Sequence, residues 1–178
     1  MRKLIAGFAT SIDGFIEGPN GEIDWIIYDQ EQFKDLQKQW KTLDAMFHGR
    51  KTYETALKMS QGSKGKQSNP FAHMKHYVFS NTLKKLEEGY ILVNGDIKTE
   101  VEKIKRQPGK DIAVFGGAEL LSSLLNLDLV DELSLAICPV LLGNGKPFFN
   151  SLEKKSNWKV NEVKHYTSGL IYITYSKV

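Results

Sequence analysis

Twice in this chain a short apolar run ends in glycine where a helical period begins. The first joint is MFHGRKTYET, with Gly49 followed by Arg50, Lys51 and Thr52. The second is AVFGGAELLSSLL, with Gly116 and Gly117 followed by Ala118, Glu119 and Leu120. Glycine at such a joint lets another group approach the backbone closely. The helix that follows offers unpaired N–H groups and the positive end of its dipole. The joint is an anion site when a ligand uses it and a tight turn when none does. Arg50 and Lys51 add two cations to the first joint and Thr52 adds a hydroxyl. Arg50 can grip a phosphate with both arms of its guanidinium. The second joint has no cation near it in the sequence. Neither joint has the G-x-G-x-x-G spacing of a dinucleotide fingerprint.

The surrounding pattern predicts an α/β fold. Strand-like runs at Lys3–Thr10, Asp44–Gly49, Lys75–Ser80, Tyr90–Gly95 and Lys110–Gly117 are separated by helical stretches. Asp29–Leu43 places Phe33, Leu36 and Trp40 on one face. Arg50–Met59 does so with Tyr53, Ala56 and Leu57, and Asp96–Gln107 with Ile97, Val101 and Ile104. Ala118–Asn126 reads as a further helix. This order predicts a mostly parallel sheet with helices on both faces, and ligands at the carboxyl ends of its strands, where both joints lie. Two such joints suit a pyrophosphate with a group at each end. The last third differs: Asp131–Leu142 is a strand, and Asn157–Tyr166 and Leu170–Val178 alternate apolar and polar residues around Thr167-Ser168-Gly169. That is an antiparallel hairpin closing the sheet edge. The polar stretch Ser60–Pro70 reads as an exposed loop. The whole chain, 1–178, is expected to form one domain.

Five segments together resemble the dihydrofolate reductase superfamily. They are closest to the reductase domain of the bifunctional riboflavin-biosynthesis deaminase-reductase and its small stand-alone relatives. The segments are ATSIDGFIEGPNG from Ala9, GRKTYE from Gly49, YVFSN from Tyr77, VFGGAELLSSLL from Val114 and DELSLAICPVLLGNGKPFF from Asp131. The resemblance implies a three-layer α/β/α fold that binds NADP(H). Its activity would be that of a dihydrofolate reductase or a 5-amino-6-(5-phosphoribosylamino)uracil reductase-like enzyme, moving hydride to a small pteridine-, pyrimidine- or folate-like heterocycle. The alternative is an NADP-binding protein of the same fold without turnover. By the same likeness, Gly49, Arg50, Lys51 and Thr52 would hold the adenosine-side phosphates, and Ser80 and Asn81 would lie near the ribose 2′-phosphate. Gly116 and Gly117, which often carry a cis peptide in such families, would receive the pyrophosphate beside Ala118, Glu119 and Leu120. The backbone around Ala6, Gly7 and Ile16 would face the nicotinamide.

Candidate catalytic carboxylates are Asp13, Asp29 and Glu31. Classical members of the superfamily keep one carboxylate on the first crossover helix. Trp25 resembles the family tryptophan before it, and counting from Trp25 puts Gln30 where the carboxylate is expected. Asp29 and Glu31 then read either as that acid or as negative charge at a helix start. Asp13, in Ser-x-Asp-Gly, reads either as an active-site carboxylate or as a turn residue bonded to nearby backbone. The loop LLGNGKPFF lacks the phosphate-loop spacing and fits the side of a substrate pocket, where Lys146 could meet an anion.

Other classes are disfavoured. The formal charge of +3, from 24 basic and 21 acidic side chains, is too even to imply nucleic acid. No apolar run reaches the roughly 20 residues of a membrane helix. Cys138, the only cysteine, sits in an apolar run and reads as a buried hydrophobe, consistent with a reducing cytoplasm. Among His48, His73, His76 and His165 no pair has metal-ligand company, so no metal is expected. A small-molecule substrate is the expected partner. The hairpin is compatible with a homodimer without compelling one.

Overall fold

The structure is a computed structural model and describes residues 1–62 and 69–178. Its strands are β1 (Leu4–Ser11), β2 (Phe15–Glu17), β3 (Leu43–Gly49), β4 (Lys75–Phe79), β5 (Tyr90–Val93), β6 (Asp111–Gly116), β7 (Glu132–Cys138), β8 (Lys146–Pro147), β9 (Trp158–His165) and β10 (Ile171–Lys177). The helices are α1 (Gln30–Trp40), α2 (Arg50–Gly62), α3 (Ile97–Arg106) and α4 (Ala118–Asn126). Eight strands form one sheet in the order β5-β4-β3-β6-β1-β7-β10-β9. The first six are mutually parallel. β10 runs antiparallel to both β7 and β9. This is the expected mixed sheet, with β6 near its centre and the C-terminal hairpin at its edge.

Two differences from expectation are local. The stretch expected to be a loop from Ser60 begins inside α2, which continues to Gly62; residues 63–68 of that stretch lie outside the described residues. The sequence also gave no warning of the small β2–β8 sheet, which pairs Phe15 with Pro147 and Glu17 with Lys146. Strands of three and two residues are too short to show a period.

Alternation along the parallel strands sorts the core into two layers. Leu4, Ala6, Phe47 and Val114 pack on Val101 and Ile104 of α3 and on Leu120, Leu121 and Leu124 of α4. On the opposite face, Ile5 and Met46 pack against Trp40 of α1 and Phe71. Tyr53 of α2 lies on that same face, its ring 4.8 Å from that of Tyr90, which in turn meets His48. Right-handed crossovers require this split, since the chain moves one way along the sheet through α1 and α2 and the other way through α3 and α4. Beneath the hairpin, Cys138 is fully buried with Ala136, Tyr166 and Leu170. No helix among the described residues is long and apolar enough to cross a membrane.

One buried polar contact ties the two ends of this core together. Lys105 is almost fully buried, and its Nζ donates to the Leu129 carbonyl at 3.0 Å and to Asp131 Oδ2 at 2.6 Å. Asp131 Oδ2 also accepts from the Leu4 amide at 2.7 Å, which anchors the start of β1. Lys105→Met leaves the Leu129 carbonyl without its donor and Asp131 without its cation. Because Asp131 is partly exposed, the expected loss is about 1–3 kcal/mol and not the full cost of a buried orphan charge. Urea unfolding should show a lower midpoint with an unchanged slope.

Candidate functional site

From β3 the chain goes through α2 to β4, and from β6 it goes through α4 to β7, in opposite directions along the sheet. The order therefore reverses between the adjacent strands β3 and β6, and a crevice opens at their carboxyl ends. A cavity of about 900 Å³ lies there. Gly49, Arg50, Lys51 and Thr52 line it at the start of α2, and Gly117, Ala118, Glu119 and Leu120 at the start of α4. Ser80, Asn81 and Thr82 line it after β4, with Gly95 after β5 and Phe115 at the end of β6. Glu17, Gly21, Ile23 and Lys146 complete the rim.

The helix starts at this cavity differ from those elsewhere. Asp29 caps α1 by accepting from the amides of Glu31 and Gln32, and Asp96 caps α3 by accepting from that of Thr99. The residue before α4 is Gly117, which has no side chain to cap with, and α2 starts directly after Gly49. Two helices thus present uncapped first turns to one crevice, the arrangement that favours an anion.

The two joints touch. A Cβ on Gly49 would stand 3.3 Å from the Gly117 amide nitrogen, and a Cβ on Gly117 would stand 3.2 Å from Thr52 Oγ1. Gly116 has φ 124°, a conformation that side-chain-bearing residues rarely adopt, and the Gly116–Gly117 peptide is cis. Gly116 therefore needs a glycine for its backbone conformation, whereas Gly117, at an ordinary φ of −89°, needs one for the close approach of Thr52.

Charge at the rim is paired but exposed. Arg50 meets Glu54 at 3.0 Å within α2. Lys51 reaches across to Glu119 at 2.8 Å, and Lys146 meets Glu17 at 3.1 Å. The second joint is therefore not without cations, as the sequence suggested. Lys51 bonds Glu119 and holds its carboxyl below the usual range, with Lys146 and Arg50 adding to the effect. Exposed pairs of this kind contribute about 0–1 kcal/mol each, so a phosphate can replace the carboxylate at little cost. Ser80 Oγ accepts from the amides of Thr82 and Leu83, and Asn81 Oδ1 accepts from that of Gly95; these bonds shape the loop at the far end of the cavity.

Other expected site residues lie outside the cavity lining. Ala6 is fully buried in the core and Ile16 packs against it, while Gly7 stands next to Ser134. Gly116 is flanked by lining residues without being one. Asp13 accepts from the amides of Leu142 and Gly143 and from Ser11 Oγ, so its carboxylate clamps the Leu141–Gly145 loop; the Ser11 bond does most to depress its pKa. Asp29 is held by its capping bonds, and its pKa is lowered by the nearby Ser168 hydroxyl first and by those bonds. Glu31 stands 3.5 Å from Lys164. All three carboxylates are accounted for by loop, cap or ion-pair contacts.

One cluster escaped the sequence reading. His48 Nε2 lies 2.9 Å from His76 Nδ1, and His76 Nε2 lies 3.1 Å from the Phe71 carbonyl. In the β3–β6 ladder Phe47 faces Val114 and His48 faces Gly116, so Phe115 is the extra residue of a bulge. A bulge re-aims a side chain, and Phe115 is 46% exposed. Behind it stand the rings of His48 at 5.5 Å and Phe71 at 6.0 Å. His48 and His76 are 28 residues apart, so no local spacing could reveal the pair.

Burial, with a smaller contribution from His76, pushes the His48 pKa down from 6.5 to about 4. The unfolded chain therefore binds a proton near pH 6.5 that folded His48 refuses. The stability this contributes is complete above pH 6.5 and is lost as pH falls towards 4. The whole effect is about 3 kcal/mol. Unfolding free energies measured between these limits should fall with acid, and His48→Phe should flatten that part of the slope.

Known proteins place this geometry. The model of the RibD C-terminal domain matches residues 2–172. The uncharacterized protein YyaP of Bacillus subtilis is 39% identical over 98% of this chain and 94% of its own. A solved structure from Shewanella sp. PV-4, provisionally assigned to riboflavin biosynthesis, superposes with a TM-score of 0.81 at 25% identity over 99% of both chains. The dihydrofolate reductase of Enterococcus faecalis, solved with NADP(H) and RAB-propyl, shares the fold at a TM-score of 0.68 and 16% identity, over 98% of this chain and 96% of its own. The sheet is dihydrofolate-reductase-like, and the match of the family model over residues 2–172 makes the chain a member of the RibD C-terminal domain family.

Proposed function

We propose that this protein is an NADPH-dependent reductase that transfers hydride to a small pteridine-, pyrimidine- or folate-like heterocycle. The observation that carries the reading is one cavity at the sheet's reversal point, with two uncapped helix starts and three exchangeable cations at its rim and the half-exposed Phe115 in its wall. The donor set fits a dinucleotide phosphate. Arg50, Lys51 and Thr52 would hold the adenosine-side phosphates, and the α4 start from Gly117 to Leu120 would take the pyrophosphate. Ser80 and Asn81, with Thr82 beside them, would meet the 2′-phosphate. Where a Cβ would stand on Gly21 or Gly95 there is nothing within 4 Å, which leaves room for a ligand. Membership of a reductase-type fold supports the same reading.

The bound cofactor would supply the hydride. The chain's task is then to set the two rings in contact and to exclude water between them. Phe115 offers a flat apolar surface for the acceptor ring. Gln30 is exposed at the start of α1, at the position where the resemblance leads one to expect a carboxylate. Asp13 and Asp29 are bound to backbone amides. The accompanying proton is therefore assigned to solvent. The absence of an unoccupied carboxylate among the described cavity-lining residues is also what favours the second reading, cofactor binding without turnover. Steady NADPH oxidation with a pterin or pyrimidine acceptor supports the first reading; binding with no turnover across such a panel supports the second.

NADPH differs from NADH by one phosphate with close to two negative charges. Arg50 is placed to leave Glu54 for that phosphate. A charge-assisted hydrogen bond contributes about 1.5–3 kcal/mol, so Arg50→Ala should weaken NADPH roughly ten- to a hundred-fold. NADH should change little. Fluorescence titration of both cofactors against both chains checks this: equal losses, or none, contradict the assignment.

A further inference from the structure

The His48–His76 pair is buried and titratable, and it lies outside the cavity lining. It stands directly behind Phe115. Its hydrogen bonds have a fixed direction. The Phe71 carbonyl can only accept, so His76 Nε2 carries a hydrogen. Neutral His76 then accepts at Nδ1, and His48 donates to it from Nε2. His48 Nδ1 is left as a bare acceptor, buried and without a partner among the described residues. Both rings that back Phe115 are tied to His76: His48 through the ring–ring bond, and Phe71 through its own carbonyl.

We propose that His48 and His76 are positioning residues that brace the Phe115 ring as a wall of the cavity, and that this brace gives way when the pair takes up a proton. A proton on His76 Nδ1 turns that nitrogen into a donor towards His48 Nε2, so His48 must carry its hydrogen on Nδ1. A proton placed on His48 gives the same Nδ1–H. Either way a buried N–H faces no acceptor, which is the costly arrangement. The groups packed on the pair cannot compensate. Phe115 of β6 and Phe71 are apolar. Tyr90 of β5, with Tyr53 of α2 behind it, is a phenol whose pKa burial has raised, so it is neutral in acid. Among the described residues no carboxylate contributes to the His48 shift. The strain is relieved by separating the two imidazoles, which removes the His48 side of the brace. For ligand binding, the consequence rests on the reading proposed above: acceptor affinity falls in acid while cofactor affinity, set at the helix starts, does not.

The test uses the full chain with 4-fluorophenylalanine in place of Phe115, followed by fluorine NMR from about pH 8 down to about pH 3.5, a range that passes the depressed pKa of His48. Ring-nitrogen spectra of the histidines and NADPH titrations are recorded on the same samples. The fluorine resonance should move with the same midpoint as the His48 ring nitrogens, and His48→Phe should abolish that movement. Should His48→Phe fail to fold, the double variant His48→Gln/His76→Gln serves, because neither position can then titrate while the amide at position 76 keeps a donor for the Phe71 carbonyl. A resonance that stays still while the pair titrates, or that moves equally in the variant, overturns the proposal. If NADPH binds at no pH, the proposed function falls, and the fluorine resonance alone still decides the brace.

Discussion

The joints at the ends of β3 and β6 lie side by side only because neither carries a side chain at the point of contact. A methyl on Gly49 would press on the Gly117 amide, and one on Gly117 would press on the Thr52 hydroxyl. These strands are neighbours because the chain reverses its direction of travel between them. One crossover leaves through α2 on one face and the other through α4 on the opposite face. The reversal opens a crevice, and the glycines keep its floor clear. The two helix starts then converge on a shared space with their amides uncapped. Fold and site follow from one steric condition.

The electrostatics depend on that arrangement. Arg50, Lys51 and Lys146 come from two separate segments, and each is held by a carboxylate at the rim. The pairs are exposed, so they orient the cations without binding them tightly. A net charge of +3 would give little attraction by itself; three cations and two helix dipoles aimed into one cavity give a local field that favours phosphate. Phe115, tilted out of the ladder by its bulge, adds an apolar surface to the same space.

Much of this was legible in the sequence because it is local. Glycine at the end of an apolar run, followed by helical spacing, marks a strand–helix joint within a dozen residues. The parallel strands and the hairpin showed through their periods. The rest depends on pairings that no window contains. Asp13 clamps amides about 130 residues away, so its role in holding the Leu141–Gly145 loop could only be read as a generic turn. Lys51 and Glu119 are 68 residues apart, and their pairing is why the second joint looked uncharged. The two-residue strand β8 forms only when that loop meets β2. Carboxylates were hardest to assign, since Asp and Glu serve caps, turns and catalysis alike; bonding decides among these uses, and composition does not.

On the proposed function, the β3–α2 and β6–α4 joints together receive a dinucleotide diphosphate. Difference density from a crystal of the protein soaked with NADP⁺ tests it most directly. The expected result is a diphosphate against the amides that open α4, with the adenosine-side phosphates beside Arg50 and Thr52 and the nicotinamide reaching towards Phe115. Density for the cofactor elsewhere on the sheet, or a crevice that stays empty when NADP⁺ is in large excess, would contradict it.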